Sequence, residues 1–553
     1  MTEFFERHRE TLEAALAAAE SRDFWSAYPE VPSKKIYGEV APEAGEAAYQ
    51  ALLGKPFALP GHPERGRLGS EVSPFGPSLA IDYASAPAED LIAAASAAGE
   101  AWANSSARTR AGVLLEALAR LNRRSFEMGH AVMHTTGQPF VMAFQAGGPH
   151  AQDRGLEAVA YAYRAMSETP ESARWTKPQG KHPPIVLEKH YRVLPRGVAL
   201  TIGCNTFPTW NGYPGLFASL ATGNTVIVKP HPAAVLPLAI TLQELRAVLA
   251  EAGFDPNVVL LAVDEQGAEI TKTLACHPAI KIIDYTGSNA FADWLRGEAR
   301  QARLYSEEAG VNSVVLASTD NFKGTCANLA FSISLYSGQM CTAPQNIYIP
   351  KDGIETDQGH KSFDEVAAAL KAAVDGLLGD PARAAGVCGA LANPATLARV
   401  EAAAQEGRVV RASAPLEGLE GARTATPLLL AVEAKTSQAH REERFGPIAF
   451  LVASESAEAA IDEAAGLARE KGAITAAVYA TDAATLERSE AAFGAAGVSL
   501  SCNLTGNIFV NQSAAFSDYH VSGANPAGNA CLTDSAFVAD RFRIVAVRRP
   551  IAA

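Results

Sequence analysis

Short apolar runs alternate with helical stretches between Arg192 and Tyr285, and this alternation constrains the fold more than any other feature of the sequence. The pattern is typical of a parallel sheet wound with helices. A helix between two of the runs is predicted to end at Gly253, with Pro256 beyond it. The predicted buried strands are 198–202, 225–228, 258–262 and 280–285. We expect an α/β domain of the kind that binds nucleotides.

A second α/β block is predicted from about Val311 onward. A chain of 553 residues exceeds the usual size of one hydrophobic core, so two or three domains are expected. An Ala- and Glu-rich region near 400–424 is predicted to lie on the surface. The candidate strands of this block are 314–316, 346–349, 449–452 and 476–479.

Both ends of the chain differ from these blocks. Residues 1–85 combine an amphipathic opening helix with a stretch rich in Pro and Gly, which predicts an extended arm. The tail 542–548 alternates like an exposed strand. An edge strand at a terminus can pair with another chain, so a homodimer or a dimer of dimers is expected.

Composition argues against several classes of function. The formal net charge of −13 opposes binding to a nucleic-acid backbone, so no nucleic-acid partner is expected. The charged start and the lack of a run of ~20 apolar residues predict neither an export signal nor a membrane span. Seven cysteines, an odd number without paired spacing, indicate a reducing cytoplasm and no metal site.

One cysteine, Cys341, follows a Gly-Gln turn and precedes a predicted strand. Such a position can expose the thiol to a cleft, where a thiolate can attack a substrate and form a covalent intermediate. A lone cysteine is more often a small buried apolar side chain. On this motif alone both interpretations stay open.

Two glutamates, Glu307 and Glu308, stand directly before a glycine and a strand with a buried pattern. Either carboxylate can act as a general base if burial raises its pKa toward neutrality. The alternative is that both are solvated turn residues.

Further segments carry residues that can hold a dinucleotide. The strand 280–285 runs into Gly287 and Ser288 ahead of a predicted helix, whose free N–H groups can bind phosphate. Lys229 stands at the carboxyl end of a strand, the edge where open α/β sheets bind ligands.

The run 441–447 contains the acids Glu442 and Glu443 and the aromatic Phe445 before a Gly-Pro turn. An acid there can bind a pair of ribose hydroxyls, and the ring can flank a base. Either glutamate can equally be a surface charge.

Together and in this order, these segments resemble the aldehyde dehydrogenase superfamily over roughly residues 90–550. The resemblance implies that Cys341 is the nucleophile and Glu307 the general base. It implies that Lys229 holds the adenosine ribose. It implies that Gly287 and Ser288 form the turn that binds the cofactor phosphates. It also implies that Glu443 and Phe445 hold the nicotinamide ribose.

The resemblance also implies an α/β fold with two Rossmann-like domains and a small β element for oligomerisation. We predict an amino-terminal extension over 1–85 and a dinucleotide-binding domain over 86–310, completed by part of the carboxyl-terminal region. A catalytic domain with the nucleophilic cysteine is predicted over 311–515, and a return segment with an oligomerisation strand over 516–553.

Two departures from the family pattern affect the predicted site. Where the family places an asparagine that stabilises the oxyanion, this chain has Thr206, and Asn205 lies one position earlier. Loss of one such donor typically costs ~2.7–4 kcal/mol, so either Asn205 reaches the site or the Cys341 N–H carries more of the stabilisation.

The second departure concerns the cofactor. The acid often found three residues beyond the ribose lysine is replaced by Pro232, which follows His231. His231 or Lys229 can attract a 2′-phosphate, so we predict NADP or NAD as the cofactor.

Within the superfamily, the chain resembles dehydrogenases that act after ring opening in aerobic phenylacetate degradation. This resemblance implies an aldehyde substrate linked to coenzyme A, for which a basic mouth is expected. The alternatives are a broad-specificity aldehyde dehydrogenase and a non-catalytic dinucleotide-binding scaffold. The stretches that carry the resemblance are the amino-terminal arm, 206–214, 229–232, 307–312 and 516–520; the basic candidates are Lys34, Lys35, Arg65, Arg67, Arg123 and Arg124.

Overall fold

The computed structural model describes residues 2–265, 267–532 and 534–551. The α-helices of these residues are α1 (Thr2–Ser21), α2 (Lys34–Tyr37), α3 (Ala41–Gln50), α4 (Ala88–Asn104), α5 (Ala107–Arg123), α6 (Ser125–Thr136), α7 (Phe140–Gly147), α8 (Pro149–Ser167), α9 (Pro208–Ala221), α10 (Leu236–Glu251), α11 (Ile270–Cys276), α12 (Asn289–Glu298), α13 (Phe322–Ser334), α14 (Phe363–Leu378), α15 (Pro381–Cys388), α16 (Ala395–Ala403), α17 (Ala457–Lys471), α18 (Ala483–Ala495) and α19 (Ser535–Ala539).

The strands are β1 (Gly66–Leu68), β2 (Tyr83–Ser85), β3 (Ser172–Gln179), β4 (His182–Pro195), β5 (Val198–Ile202), β6 (Thr225–Lys229), β7 (Val259–Leu261), β8 (Ile280–Thr286), β9 (Arg303–Glu307), β10 (Ser313–Leu316), β11 (Ser318–Thr319), β12 (Asn346–Pro350), β13 (Glu355–Thr356), β14 (Arg408–Arg411), β15 (Leu428–Glu433), β16 (Ile448–Ser454), β17 (Thr475–Tyr479), β18 (Ser499–Cys502) and β19 (Phe542–Pro550).

A five-stranded parallel sheet has the order β7-β6-β5-β8-β9. Its strands include the four predicted in this part of the chain, and their apolar runs are buried on both faces because helices cover both sides. At the carboxyl edge, Ile202 pairs with Lys229 on one side and with Tyr285 on the other. Residues that follow these strands therefore meet along one edge.

A seven-stranded sheet has the order β14-β15-β16-β12-β10-β17-β18 and is parallel except for the β14–β15 pair. The four strands predicted for the second block lie in its centre. The Ala- and Glu-rich region near 400–424 includes the end of α16 and the edge strand β14, a strand that the sequence did not predict. The side chains of β14 are half-buried or exposed, so this strand has no continuous apolar run by which the sequence could reveal it.

A three-stranded antiparallel sheet has the order β19-β4-β3. The predicted tail strand is present, and β19 pairs with β4 from Phe542 to Pro550. All residues of β19 after Phe542 are exposed. Strands β3 and β4 were not predicted because most of their residues are exposed. The α/β fold with two parallel sheets and a small additional β element is thus confirmed.

The amino-terminal segment packs on the first α/β block. Helix α1 lies against α5, where a Cβ on Gly112 would stand 2.5 Å from the backbone nitrogen of Phe5. Glu116 of α5 accepts hydrogen bonds from Arg7 (3.0 Å) and His8 (2.7 Å). None of the described helices is both long and apolar enough to cross a membrane.

Candidate active site

Cys341 lies at the amino-terminal edge of the seven-stranded sheet, between the turn 335–338 and β12. Asn312, the residue before β10, donates from Nδ2 to the main-chain oxygens of Cys341 (2.7 Å) and Ala343 (3.0 Å). Its Oδ1 accepts from the backbone N–H groups of Ile474 (2.9 Å) and Thr475 (3.0 Å) at the start of β17. One buried amide therefore fixes the backbone of the cysteine to two neighbouring strands.

The turn before Cys341 has an unusual backbone. Tyr336 and Ser337 both have φ of 50°, and Gly338 follows with φ of 64°. A Cβ on Gly338 would lie 2.4 Å from the main-chain oxygen of Gly446, so a side chain does not fit there. Left-handed conformations at non-glycine residues are costly and persist only where the surroundings enforce them. Hydrogen bonds from Ser337 Oγ to two main-chain oxygens, at 3.2 and 3.1 Å, help to hold this turn.

Glu307 ends β9 and points toward the cysteine. The side chain of Asn211 donates from Nδ2 to Oε2 at 2.8 Å, and His520 Nε2 lies 3.0 Å from Oε1. Glu307 is only 1% exposed. Burial alone would raise the pKa of Glu307, but the charge and hydrogen bond of His520, with hydrogen bonds from Cys341 and Asn211, outweigh burial and lower it. The pKa of Glu307 is thus not raised toward neutrality, the condition under which the sequence argument allowed a general base here.

Glu308 points elsewhere. Its Oε1 accepts a hydrogen bond from Ser306 Oγ at 2.7 Å and forms an ion pair with Arg296. Its backbone N–H donates to the oxygen of Ala527 at 2.7 Å, which ties the return segment to the end of β9. Both glutamates are buried rather than solvated, and it is Glu307 that faces Cys341.

Cys341, Glu307 and His520 form a compact cluster. His520 Nε2 is 3.9 Å from Cys341 Sγ, and the three donor atoms lie within 4.8 Å of one another. Burial raises the pKa of Cys341 well above its ordinary value, and the negative charge of Glu307 raises it further. Cys341 as a whole is half-buried and packs against Ile474, Val521 and Ala527. The prediction that the protein binds no metal stays a prediction.

Asn205 lies in the turn between β5 and α9. Its Oδ1 is buried and has no hydrogen-bond partner among the described residues. The main-chain oxygen of the next residue, Thr206, accepts a hydrogen bond of 2.8 Å from Gln138. The turn is thus anchored, and a role of Asn205 in stabilising an oxyanion stays a prediction.

Lys229 ends β6 and is buried. Its Nζ lies 2.6 Å from Asp264 Oδ1 and donates to the main-chain oxygen of Pro230 at 2.8 Å. Burial lowers the pKa of Lys229, while Asp264 opposes that shift. Burial and the charge of Lys229 lower the pKa of His231 to about 4, so His231 is neutral at neutral pH. The sequence directly after Lys229 lacks an acid, and Asp264, from further along the chain, supplies one beside the lysine.

Gly287 and Ser288 form the turn between β8 and α12. The backbone N–H of Gly287 donates to the oxygen of Glu307 at 3.1 Å. A Cβ on Gly287 would lie 2.4 Å from Tyr285 Oη, so a larger residue would displace that ring. Ser288 is exposed and makes no side-chain cap to α12. This arrangement leaves N–H groups at the start of α12 able to meet a phosphate.

Glu443 and Phe445 line a narrow cleft with Met340, the residue next to the cysteine. Burial raises the pKa of Glu443 to about 7, against the opposing effects of Arg399 and a backbone hydrogen bond. By contrast, Glu442 accepts a hydrogen bond of 2.7 Å from Lys471 on the surface. Of the two acids in this run, Glu443 is the one that faces the cleft.

Three polar residues of this region were not predicted to have roles. Asn211 and His520 entered the sequence argument only as members of longer stretches, and Asp264 did not enter it. A weak signal existed for Asn211, because it is a polar residue in an apolar part of α9. The contacts of all three bridge distant segments, which local patterns do not report.

The fold and this cluster define a class of α/β enzymes that place a cysteine and a carboxylate between two parallel sheets. The sequence profile of the Aldehyde dehydrogenase family matches residues 73–529. This chain belongs to the aldehyde dehydrogenase family.

Several known proteins are similar to the chain. The crystal structure of an NAD-dependent aldehyde dehydrogenase from Burkholderia multivorans is 53% identical, with a TM-score of 0.98 over 100% of this chain and 99% of that one. A 1-pyrroline-5-carboxylate dehydrogenase from Bacillus subtilis is 28% identical over 340 residues, which cover 59% of this chain and 62% of that protein. A 1-pyrroline-5-carboxylate dehydrogenase structure from Thermus with bound NAD is 20% identical, with a TM-score of 0.72 over 96% of this chain and 99% of that one; this likeness concerns the fold alone.

Proposed function

We propose that this protein oxidises an aldehyde to a carboxylic acid with NAD as the hydride acceptor, through a covalent intermediate on Cys341. The observation that carries the proposal is the cluster in which Cys341 Sγ, His520 Nε2 and a Glu307 oxygen lie within 4.8 Å. A nucleophile beside an oriented carboxylate is what covalent catalysis followed by hydrolysis requires.

Each residue of the site has its own role in the proposed reaction. Cys341 attacks the aldehyde carbon through its sulfur and forms a thiohemiacetal. Bound in the cleft, a nicotinamide dinucleotide would accept the hydride of the thiohemiacetal carbon. Loss of that hydride and of the hydroxyl proton leaves a thioester on Cys341. Glu307, ionised at neutral pH because its pKa is lowered, takes a proton from the water that attacks the thioester. Its hydrogen bonds to Asn211 and His520 keep the carboxylate oriented.

The residues at the sheet edge fit a dinucleotide. Lys229 and Asp264 would hold the adenosine ribose, the N–H groups after Gly287 the phosphates, and Glu443 the nicotinamide ribose. A carboxylate at the adenosine ribose favours a free 2′-hydroxyl and repels a 2′-phosphate. Asp264 therefore supports NAD rather than NADP, and the neutral imidazole of His231 adds no positive charge. The related Burkholderia multivorans protein is also described as NAD-dependent.

For the substrate we propose a semialdehyde from an opened aromatic ring, as in the phenylacetic acid degradation protein PaaN, which the chain resembles. The stretches that carry the resemblance include His520, which lies in the cluster, and Asn211, which donates to Glu307. Linkage of this aldehyde to coenzyme A has less support, since four of the basic candidates pair with carboxylates. These pairs are Lys34–Glu43, Arg65–Asp90, Arg67–Asp82 and Arg124–Glu127.

A screen of aldehydes with NAD, read as reduced cofactor, tests the proposal. It should include free aliphatic and aromatic aldehydes, a CoA-linked semialdehyde, and the semialdehyde of glutamate, because several relatives are named 1-pyrroline-5-carboxylate dehydrogenase. Higher kcat/KM for the CoA-linked compound than for its free counterpart supports CoA linkage. Comparable kcat/KM values for all of these aldehydes favour a broad-specificity enzyme.

Two variants test the assigned roles. Glu307→Gln should give one equivalent of reduced cofactor per site, after which turnover falls by about 100-fold or more, the usual effect of losing a general base. Cys341→Ser should lose both the burst and turnover. Unchanged turnover in Glu307→Gln refutes the role of Glu307, and a wild-type protein that reduces no cofactor with any aldehyde favours the scaffold.

A further inference from the structure

Three side chains of the candidate active site offer a set of atoms that binds metal ions in proteins. Cys341 Sγ, His520 Nε2 and a carboxylate oxygen of Glu307 all lie within 4.8 Å of one another. The separations are 3.0 Å from Nε2 to Glu307 Oε1 and 3.9 Å from Nε2 to Cys341 Sγ. A thiolate, an imidazole and a carboxylate are the ligand types that zinc binds.

These separations fit a single zinc ion. With a Zn–S bond of about 2.3 Å and Zn–N or Zn–O bonds of about 2.0–2.2 Å, tetrahedral ligand atoms stand about 3.4–3.6 Å apart. The two separations given above therefore need to change by less than about 0.5 Å to reach this geometry. Three protein ligands leave the fourth position of the ion open to water.

The charges of the cluster balance with a divalent cation. Glu307 is 1% exposed and His520 is 2% exposed, so a charge at this place is removed from bulk water. A thiolate beside the carboxylate gives two negative charges, which repel each other. One Zn²⁺ cancels both, and a neutral imidazole completes a site without net charge, which is the favourable state for a buried cluster. The guanidinium of Arg154 is already paired with Glu157 at 2.9 Å.

Neighbouring side chains hold the three ligands in place, as outer partners do in metal sites. Asn211 Nδ2 donates to Glu307 Oε2 at 2.8 Å, so the other oxygen, Oε1, faces the cluster. The rings of Trp210 and His520 lie 4.5 Å apart with their planes at 78°. Asn312 fixes the backbone of the cysteine, as described above. The ligand atoms thus converge without an ion to gather them.

The fold also holds the return segment, which carries His520, against the other two ligands. The backbone N–H of Phe516 donates to Glu157 Oε1 at 2.9 Å. The amino-terminal arm contacts the same segment, because Arg22 donates to the oxygen of Phe516 at 3.1 Å and the rings of Trp25 and Phe516 lie 5.0 Å apart. The arm, whose role the sequence left open, thus supports the position of the histidine.

We propose that one Zn²⁺ ion binds across Cys341, Glu307 and His520 and reversibly blocks the active site. Binding of the ion stands apart from the proposed oxidation, whereas the block rests on that function. An ion on Sγ and Oε1 occupies both the nucleophile and the general base, so neither can react. Cysteine spacing predicted no metal site, but each ligand here comes from a different segment, which spacing does not report.

Binding exchanges hydrogen atoms for the ion. Without metal, Glu307 accepts hydrogen bonds from His520 Nε2 and from the thiol of Cys341. On binding, the S–H bond breaks, its electron pair is donated to zinc, and the proton leaves to solvent. The imidazole stays neutral by carrying its single proton on Nδ1, so that the Nε2 lone pair can also bind the ion. No electron is transferred, because zinc has no redox chemistry.

Titration of the metal-free protein with zinc chloride, followed by calorimetry, tests the inference without aldehyde or cofactor. We expect one ion per chain. In Cys341→Ser and in His520→Gln the Kd should rise by about 100-fold or more, because loss of even an outer partner typically costs roughly 10–100-fold. The matched controls are Cys276→Ser and His150→Gln, which remove an exposed thiol and an exposed imidazole and should bind zinc like the wild type.

Two further measurements keep the test independent of the folding of one variant. In the wild type, Co²⁺ in place of zinc should show the visible absorption of a tetrahedral site and the near-ultraviolet band of a bond between cobalt and a thiolate. Zinc should slow the alkylation of Cys341 by iodoacetamide by about tenfold or more, since the free thiolate is the nucleophile. A chelator should restore the rate, and peptide mapping identifies the labelled cysteine.

The possible outcomes separate this inference from the proposed function. A wild type that binds no zinc, or a Kd that is unchanged in either Cys341→Ser or His520→Gln, overturns the zinc site. Zinc bound at these residues while the protein oxidises aldehydes at its full rate overturns the block. A wild type that binds zinc as expected but oxidises no aldehyde with NAD refutes the proposed function and leaves the zinc site standing.

Discussion

Asn211 Nδ2 donates a hydrogen bond of 2.8 Å to Glu307 Oε2, while the other carboxylate oxygen faces His520. The proposed general base is thus held on both oxygens by side chains from two distant segments. This contact fixes its orientation and, with His520 and Cys341, lowers its pKa.

We predict that Asn211→Ala lowers kcat and moves the acid limb of the pH profile to higher pH. The amide stabilises the charged carboxylate, so its removal raises the pKa of Glu307, and activity is lost at a higher pH as the pH falls. We expect a drop in kcat of about tenfold at neutral pH, from one lost hydrogen bond to a charged group. The measurement is kcat against pH. Cys204→Ala is the control, because it removes only the thiol that donates to Asn211 Oδ1 at 3.6 Å; an unmoved acid limb in Asn211→Ala contradicts the prediction.

Glu443 should make cofactor binding depend on pH. Burial raises the pKa of Glu443 to about 7, so the carboxylate becomes protonated as the pH falls through neutrality. A charged acceptor binds hydroxyl groups more strongly than a neutral acid, so the Kd for NAD should rise severalfold below about pH 7. Calorimetric titration at several pH values measures the effect. In Glu443→Gln the Kd should be higher and should lose this dependence, whereas Glu442→Gln should behave like the wild type.

Asp264 should control the choice of cofactor. Its carboxylate lies 2.6 Å from Lys229 Nζ and would repel a 2′-phosphate. In Asp264→Asn, the ratio of kcat/KM for NADP to that for NAD should rise by about tenfold or more, the effect of roughly 1.4 kcal/mol. Steady-state kinetics with both cofactors measures it. A ratio that stays at the wild-type value would place the adenosine ribose away from this pair.

Asp284→Ala should strongly destabilise the protein. Asp284 accepts hydrogen bonds of 2.6 and 2.8 Å from Arg541, which is fully buried, and the pair joins β8 to the segment before β19. Removing the carboxylate leaves a buried guanidinium without its charge partner, at a cost of about 3–5 kcal/mol. The measurement is the free energy of unfolding from denaturant titration.

The matched control for this variant is Asp462→Ala, which breaks the exposed pair of Asp462 with Arg488. Exposed pairs contribute little because water screens them, so the loss should stay below about 1 kcal/mol. If the two variants lost the same free energy of unfolding, the buried pair would contribute no more to stability than a surface pair.

The sequence by itself determined the two parallel sheets. Strands buried on both faces, such as β5 and β6, consist of continuous apolar runs, and that signal is local. The nucleophile and base were predicted through resemblance, because Cys341 and Glu307 stand in recognisable local motifs. By contrast, β3 and β4 were not predicted, since their residues are largely exposed and their sheet is completed by β19, which pairs with β4 from far along the chain.

Only the tertiary structure decided the surroundings of these residues. It placed His520 and Asn211 on the two oxygens of Glu307, and Asp264 beside Lys229, although each partner comes from a different segment. It also gave the pKa of Glu307 a shift opposite to the one that burial alone would produce. The physical reason is that a pKa or a cofactor preference depends on charges and hydrogen bonds within a few ångströms. Which groups come that close is decided by the packing of distant segments and not by the local sequence.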